Sequence, residues 1–131
     1  AERVYSYFNM SLNDKNQPYH YLAKKSIFHF LKYCPEAQNI YCKYLSSDIE
    51  KDINSDLYQL AEKNLNNFHT IIKFDNFEND VKKFIEKFNI SNIEIPHINK
   101  SNYKRKISND ELKAIQFYNS YDIKLFNRFK D

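Results

Sequence analysis

Apolar residues recur at helical spacing along most of the chain. Val4, Tyr7 and Phe8 predict a short helix across residues 2–10. A stretch rich in Asn, Asp and Lys, residues 11–18, predicts a loop. Leu22, Ser26, Phe28, His29, Phe30, Leu31 and Tyr33 predict a second helix. Pro35 stops it, because proline lacks the amide donor and clashes with the preceding turn. Ile40, Tyr44 and Leu45 share one side of a further short helix over residues 36–45. Asn54, Ser55 and Asp56 offer an N-cap to an amphipathic helix carrying Leu57, Leu60, Ala61, Leu65 and Phe68. Asp75 or Asn76 caps the next, whose stripe is Phe77, Val81, Phe84, Ile85 and Phe88. Ser108 with Glu111 three residues on matches a capping box opening one long helix with Leu112, Ile115, Tyr118, Leu125, Phe126 and Phe129 inward.

Two segments break this pattern. Residues 69–74 (His69, Thr70, Ile71, Ile72, Lys73, Phe74) form a β-branched run that reads better as a buried strand than as a helix. One strand cannot make a sheet. Either Ile71 and Ile72 pair with strands outside this chain, or the run is a connector in an all-helical fold. Residues 91–108 hold no period, contain Pro96, and carry Lys100, Lys104, Arg105 and Lys106. Irregular segments of that length in a compact domain are usually functional or disordered. No repeat or linker interrupts residues 1–131, so the reading is one domain with a basic loop at 91–108.

Composition narrows the chemistry. The 131 residues are 42% hydrophobic and 28% charged, ordinary proportions for a globular chain. With 11 Phe, 11 Tyr and no Trp, the core rests on rings, each removing about 150–250 Å² from water. There is no glycine, where an average chain of this length holds roughly nine. Gly-rich phosphate-cradling loops are therefore excluded. A net charge of +3 permits anionic ligands without indicating nucleic acid or membrane. No apolar run reaches the roughly 20 residues of a membrane span. The two cysteines, Cys34 and Cys42, lack metal-ligand spacing and read as buried thiols, with a local disulfide as the alternative. The four histidines do not cluster in sequence. His20 and His97 read as the exposed ones, with no carboxylate at triad-like spacing, and His29 lies within an apolar stripe and reads as a core residue. No catalytic base and no metal site is assigned. Asp122, on the inner side of an aromatic helix, reads as structural, bonding backbone or Tyr118.

Three segments together resemble the carbohydrate-type (family 2) sulfotransferases, which use the donor 3′-phosphoadenosine 5′-phosphosulfate (PAPS). Glu2, Arg3, Val4, Tyr5, Ser6, Tyr7 and Phe8 resemble the helix after that family's Arg-x-Pro element. Ala61 to Leu65, then Ile71, Ile72, Lys73 and Phe74, then Phe77 to Asp80 resemble its helix, core strand and helix. His97 to Ser101, the basic stretch, and Tyr118, Asp122, Leu125 and Phe126 resemble its cofactor-closing loop and last helix. The resemblance implies an α/β fold: the C-terminal, mostly helical part of a P-loop-like sulfotransferase with one or two short strands. It implies sulfuryl transfer from PAPS to a carbohydrate hydroxyl. Ser6 matches the serine that holds the 3′-phosphate, and Asn99, Lys100, Ser101, Lys104 and Arg105 fall in the loop over the cofactor.

The family's Lys-x-Gly-Ser/Thr turn for the 5′-phosphosulfate needs glycine, so this chain alone is expected to be inactive. It reads as a piece of a longer enzyme, since it opens on Ala1 without Met. A bacterial cytoplasm suits that enzyme, or a Golgi lumen if an anchor lies upstream. The alternative is a small helical module binding RNA or another polyanion through residues 99–106. A third reading is a protein-interaction domain whose aromatic helices bury a partner.

Overall fold

The structure is a computed structural model that describes residues 1–91, 94 and 105–128. Eight α-helices account for most of these residues: α1 (Glu2–Asn13), α2 (His20–Ala23), α3 (Ile27–Tyr33), α4 (Ile40–Ser46), α5 (Ser55–Leu65), α6 (Phe77–Lys87), α7 (Asn109–Tyr118) and α8 (Ser120–Arg128). There is no strand among the described residues. The α/β fold implied by the resemblance is therefore corrected to an all-helical one. Residues 69–73 are a connector that leads into a 3-10 turn, Phe74–Asn76, with Ile71 and Ile72 exposed. β-Propensity expresses how a side chain packs on a pleated neighbour. Among the described residues no neighbouring strand receives this run.

The contacts divide the chain into two compact units. One comprises residues 1–65 and 103–131, the other residues 66–102. In the smaller unit Asp80 organises the entry to α6. Its carboxylate accepts from the Lys73 amide (3.1 Å) and from Asn76 Nδ2 (3.0 Å). Asn76 is the N-cap residue, but it makes no side-chain cap bond of its own. The apolar stripe of α6 is present, with Phe84 against Phe88 at 4.8 Å between ring centroids, yet none of its residues is buried.

The larger unit holds the core. Val4, Tyr5, Phe8 and Ser11 face inward from α1, spaced as successive turns require. They meet Leu22, Ala23, Ile27, Phe30, Leu31, Cys34 and Ile115. Phe8 and Tyr7 both present ring edges to Phe30, at 5.6 and 5.5 Å. A second, smaller cluster joins Cys42, Tyr58, Ala61 and Leu125.

Two helices expected to be continuous are each broken in two. Ser26 leaves helical geometry (φ −178°), and its hydroxyl accepts from the His29 amide at 3.0 Å. That N-cap separates α2 from α3. The second break, at Asn119, separates α7 from α8 and has a tertiary cause. The amides of Tyr121 and Asp122 both donate to Asn39 Oδ1, at 3.0 and 3.1 Å, where an unbroken helix would aim them at the turn before. The capping box at Ser108 and Glu111 forms as the sequence predicts. So does the cap at Asn54, whose Oδ1 accepts from the Leu57 amide at 2.9 Å.

Asn39, Asn119 and Asp122 tie the N-terminal helices to the C-terminal pair. Asn39 sits in left-handed geometry (φ 44°), which asparagine tolerates better than most residues. While its side chain caps α8, Asp122 of α8 caps α4, its carboxylate accepting from the Tyr41 and Cys42 amides at 3.1 and 2.9 Å. Asn119 accepts from the Asn39 amide (3.0 Å) and donates to the Ala37 and Ile115 carbonyls (2.9 and 3.0 Å). Asp122 and Asn119 are both buried, so removing either strands polar backbone away from water. Asp122→Ala is expected to destabilise the fold by about 2–3 kcal/mol in urea titrations, more than Asp122→Asn, which keeps one acceptor. Equal losses for the two variants would contradict this account.

Candidate functional site

The turn between α3 and α4 builds the most distinctive surface of the larger unit. Pro35–Ala37 forms a single 3-10 turn, and its three successive carbonyls are all taken by side chains. Lys43 Nζ donates to Pro35 O at 3.0 Å, Arg3 Nη1 to Glu36 O at 3.4 Å, and Asn119 Nδ2 to Ala37 O. Lys43 reaches its carbonyl from inside the protein and is 2% exposed. Arg3 comes from α1 and lies over the Tyr41 ring, its guanidinium carbon 5.4 Å from the centroid.

Beside this turn is a groove of about 300 Å³ lined by Arg3, Tyr7, Glu36, Ile40, Tyr41 and Tyr44. Helix geometry explains the set: Arg3 and Tyr7 are one turn apart on α1, as are Ile40 and Tyr44 on α4. The Tyr7 hydroxyl donates to Glu36 Oε2 at 2.8 Å. Burial pushes the Tyr7 phenol well above its ordinary value, and the Glu36 hydrogen bond raises it further, so Tyr7 stays a donor. Tyr41 and Tyr44 are more than half exposed. Arg3 Nη2 is shielded from solvent without a hydrogen-bond partner, and no carboxylate among the described residues lies within ion-pair distance of Arg3.

The residues that the sulfotransferase resemblance singled out are distributed otherwise. Ser6 is half-buried on α1. Arg105 comes to the same helix, with its carbonyl 3.5 Å from the Tyr5 hydroxyl. Its guanidinium is already paired with Glu111 at 2.5 Å. Asn99, Lys100, Ser101 and Lys104 lie outside the described residues. Lys106 is exposed.

Other groups with chemical potential are committed to the fold. His20 Nδ1 donates to the Ser11 carbonyl at 2.8 Å, not to the Ser11 hydroxyl, which is buried without a partner. Nearby Asp14 is occupied by the Asn16 amide and Gln17 Nε2, which hold its carboxyl below the usual range. These three make no nucleophile–base pair. His29, expected in the core, is half-buried with its ring 4.6 Å from Tyr33. Among the described residues no group of His, Cys, Asp and Glu could hold a metal ion, and no helix is long and apolar enough to cross a membrane.

The sequence pattern marks Tyr7 and Tyr44 only as apolar helix positions, Arg3 only as part of the resemblance, and gives Glu36 and Tyr41 no role. The i, i+4 spacings on α1 and α4 were available as a signal, but nothing local says that the two helices share a groove. No family model, curated protein or solved structure matches the chain.

Two outcomes follow from this chemistry. Cys34 and Cys42 are free and buried; burial raises both thiols, Cys34 to about 11. A disulfide reagent at about pH 8 is expected to titrate them only as the protein unfolds, with native-state labelling at the rate of a free thiol as the contrary result. At Glu111, burial works to raise the carboxyl, but hydrogen bonds from Ser108 and the nearby Arg105 charge outweigh it and hold it low. A lowered folded value stabilises above the ordinary carboxylate range, about pH 4.3, and that stabilisation is lost as pH falls through the folded value. Glu111→Gln is expected to flatten the acid limb of the stability–pH curve.

Proposed function

We propose that this chain is a protein-interaction module, and that the groove between α1 and α4 is its contact surface. The composition of that groove carries the reading: one arginine and three tyrosines beside a buried isoleucine. Arginine and tyrosine are enriched among residues that dominate binding energy at protein interfaces. Tyrosine covers a large area with few rotatable bonds, so little entropy is lost when it is fixed. A rigid floor supports the surface, because the Pro35–Ala37 turn is pinned at every carbonyl. Further aromatic side chains stand exposed on the same unit, among them Phe28 and Phe117.

The transferase reading keeps one observation in its favour, the approach of Arg105 to the helix that carries Ser6. Against it, the Arg105 charge is spent on Glu111, and no strand among the described residues precedes a phosphate-binding turn. The polyanion reading shares the first of these difficulties.

A photo-reactive benzoylphenylalanine in place of Tyr44 should crosslink one protein from the native host, and the same probe at the exposed Tyr21 should not. Binding of that protein, once purified, should weaken about tenfold or more with Tyr41→Ala and remain unchanged with Tyr21→Ala. Equal affinity for the Tyr41 variant would overturn the groove assignment. Calorimetric heat with adenosine 3′,5′-bisphosphate that Ser6→Ala abolishes would replace this reading with the transferase one. Retention on heparin with a steep salt dependence would favour the polyanion reading.

A further inference from the structure

We infer that the groove selects an acidic segment of the partner protein: one carboxylate beside Arg3 and a neighbouring apolar side chain between Tyr41 and Tyr44. This inference rests on the reading of the groove as a protein-contact surface and adds the chemistry of what it contacts.

Charge is the first argument. Two basic side chains, Arg3 and Lys43, converge on the adjacent carbonyls of Glu36 and Pro35, and no described carboxylate lies within ion-pair distance of either. The single acid lining the groove, Glu36, has one oxygen engaged by Tyr7. Arg3 and Glu36 are the charged residues lining the groove. The Glu36 carboxylate is shared with the Tyr7 hydroxyl, while the Arg3 charge has no described carboxylate partner, and the buried Lys43 behind the turn adds positive potential. The apolar wall of Ile40 and the rings lowers the effective dielectric, which strengthens attraction for an incoming anion. Arg3 Nη1 is engaged by the Glu36 carbonyl and Nη2 is shielded from solvent, so Arg3 acts on the incoming anion through its charge rather than through a two-point fork.

The aromatic walls supply the second argument. Tyrosine faces often receive cations, but Arg3 already occupies the face of Tyr41. An incoming lysine or arginine would meet that charge at short range. A carboxylate meets attraction instead, and its apolar neighbour gains from covering Tyr41 and Tyr44, which are 54% and 58% exposed. A groove of about 300 Å³ suits a few side chains rather than a folded domain edge, so the contact is with an extended or helical peptide segment.

The test uses the whole chain, isotope-labelled, titrated with three capped heptapeptides: a phenylalanine flanked by aspartates, the same peptide with lysines for aspartates, and the aspartate peptide with alanine for phenylalanine. The first should shift the amides of Arg3, Tyr41 and Tyr44 and bind about tenfold tighter than the other two. Arg3→Gln, which removes the charge, should weaken it about tenfold. Glu36→Gln removes the opposing charge and should strengthen it by about threefold, a gain that loss of folding cannot mimic. If the lysine peptide binds the same amides as well or better, acid selectivity is overturned while the groove remains a protein-contact surface. If no peptide shifts these amides at millimolar concentration, both readings fall.

Discussion

The fold depends on an exchange of caps between two helices that lie far apart in sequence. Asn39 accepts the first amides of α8, and Asp122 of α8 accepts the first amides of α4. Helix starts leave backbone donors without intrahelical partners, and in a buried interface water cannot satisfy them. Each helix therefore depends on the other for its own beginning. Asn119 completes the set by bonding both the Asn39 amide and the Ala37 carbonyl. Neither helix start can shift without stranding the other's amides, and this fixes the register of α4 against α8.

The same constraint produces the groove. Because Asn39 and Ala37 are held from one side, the Pro35–Ala37 turn presents its other carbonyls to Lys43 and Arg3. Arg3 is drawn across from α1 and settles on the Tyr41 ring, while Tyr7 reaches Glu36. A structural network and a candidate binding surface thus share one short stretch of chain. Local rigidity of this kind reduces the ordering cost of binding, which is where preorganised surfaces gain affinity. The smaller unit offers a contrast. Its α6 is amphipathic by pattern, yet buries no residue.

Much of the local structure was legible. The capping box at Ser108, the Asn54 cap, the helices carrying Leu57 to Leu65 and Phe77 to Ile85, and the structural role of Asp122 all followed from spacing and side-chain chemistry. Phe68, expected on the first of these helices, lies beyond its end. The strand expected at residues 69–74 did not form. That expectation rests on β-branched residues whose preference needs a neighbouring strand, and the resemblance that shares it implies a fold the helices contradict. Ser26 was read as part of a helix stripe although serine is also a strong capping residue. The side chain alone could not say which role it takes, since both geometries satisfy its hydroxyl.

By itself the sequence determined that the chain is helix-rich, abundant in aromatic rings and without glycine-built phosphate loops. Those properties are local: periodicity, ring content and the absence of a residue type act over a few positions. The expected ring-based core is instead mostly aliphatic among the described residues, with Tyr5, Phe8, Phe30 and Tyr58 as its buried rings. Tertiary structure decided where the long helices break and which side chains meet. Asn39 and Asp122 are separated by some eighty residues, and Arg3 and Glu36 by about thirty. Nothing in either neighbourhood encodes the other's position. Their pairing is set by packing of the whole larger unit, because only burial makes an unsatisfied helix start costly enough to choose its partner.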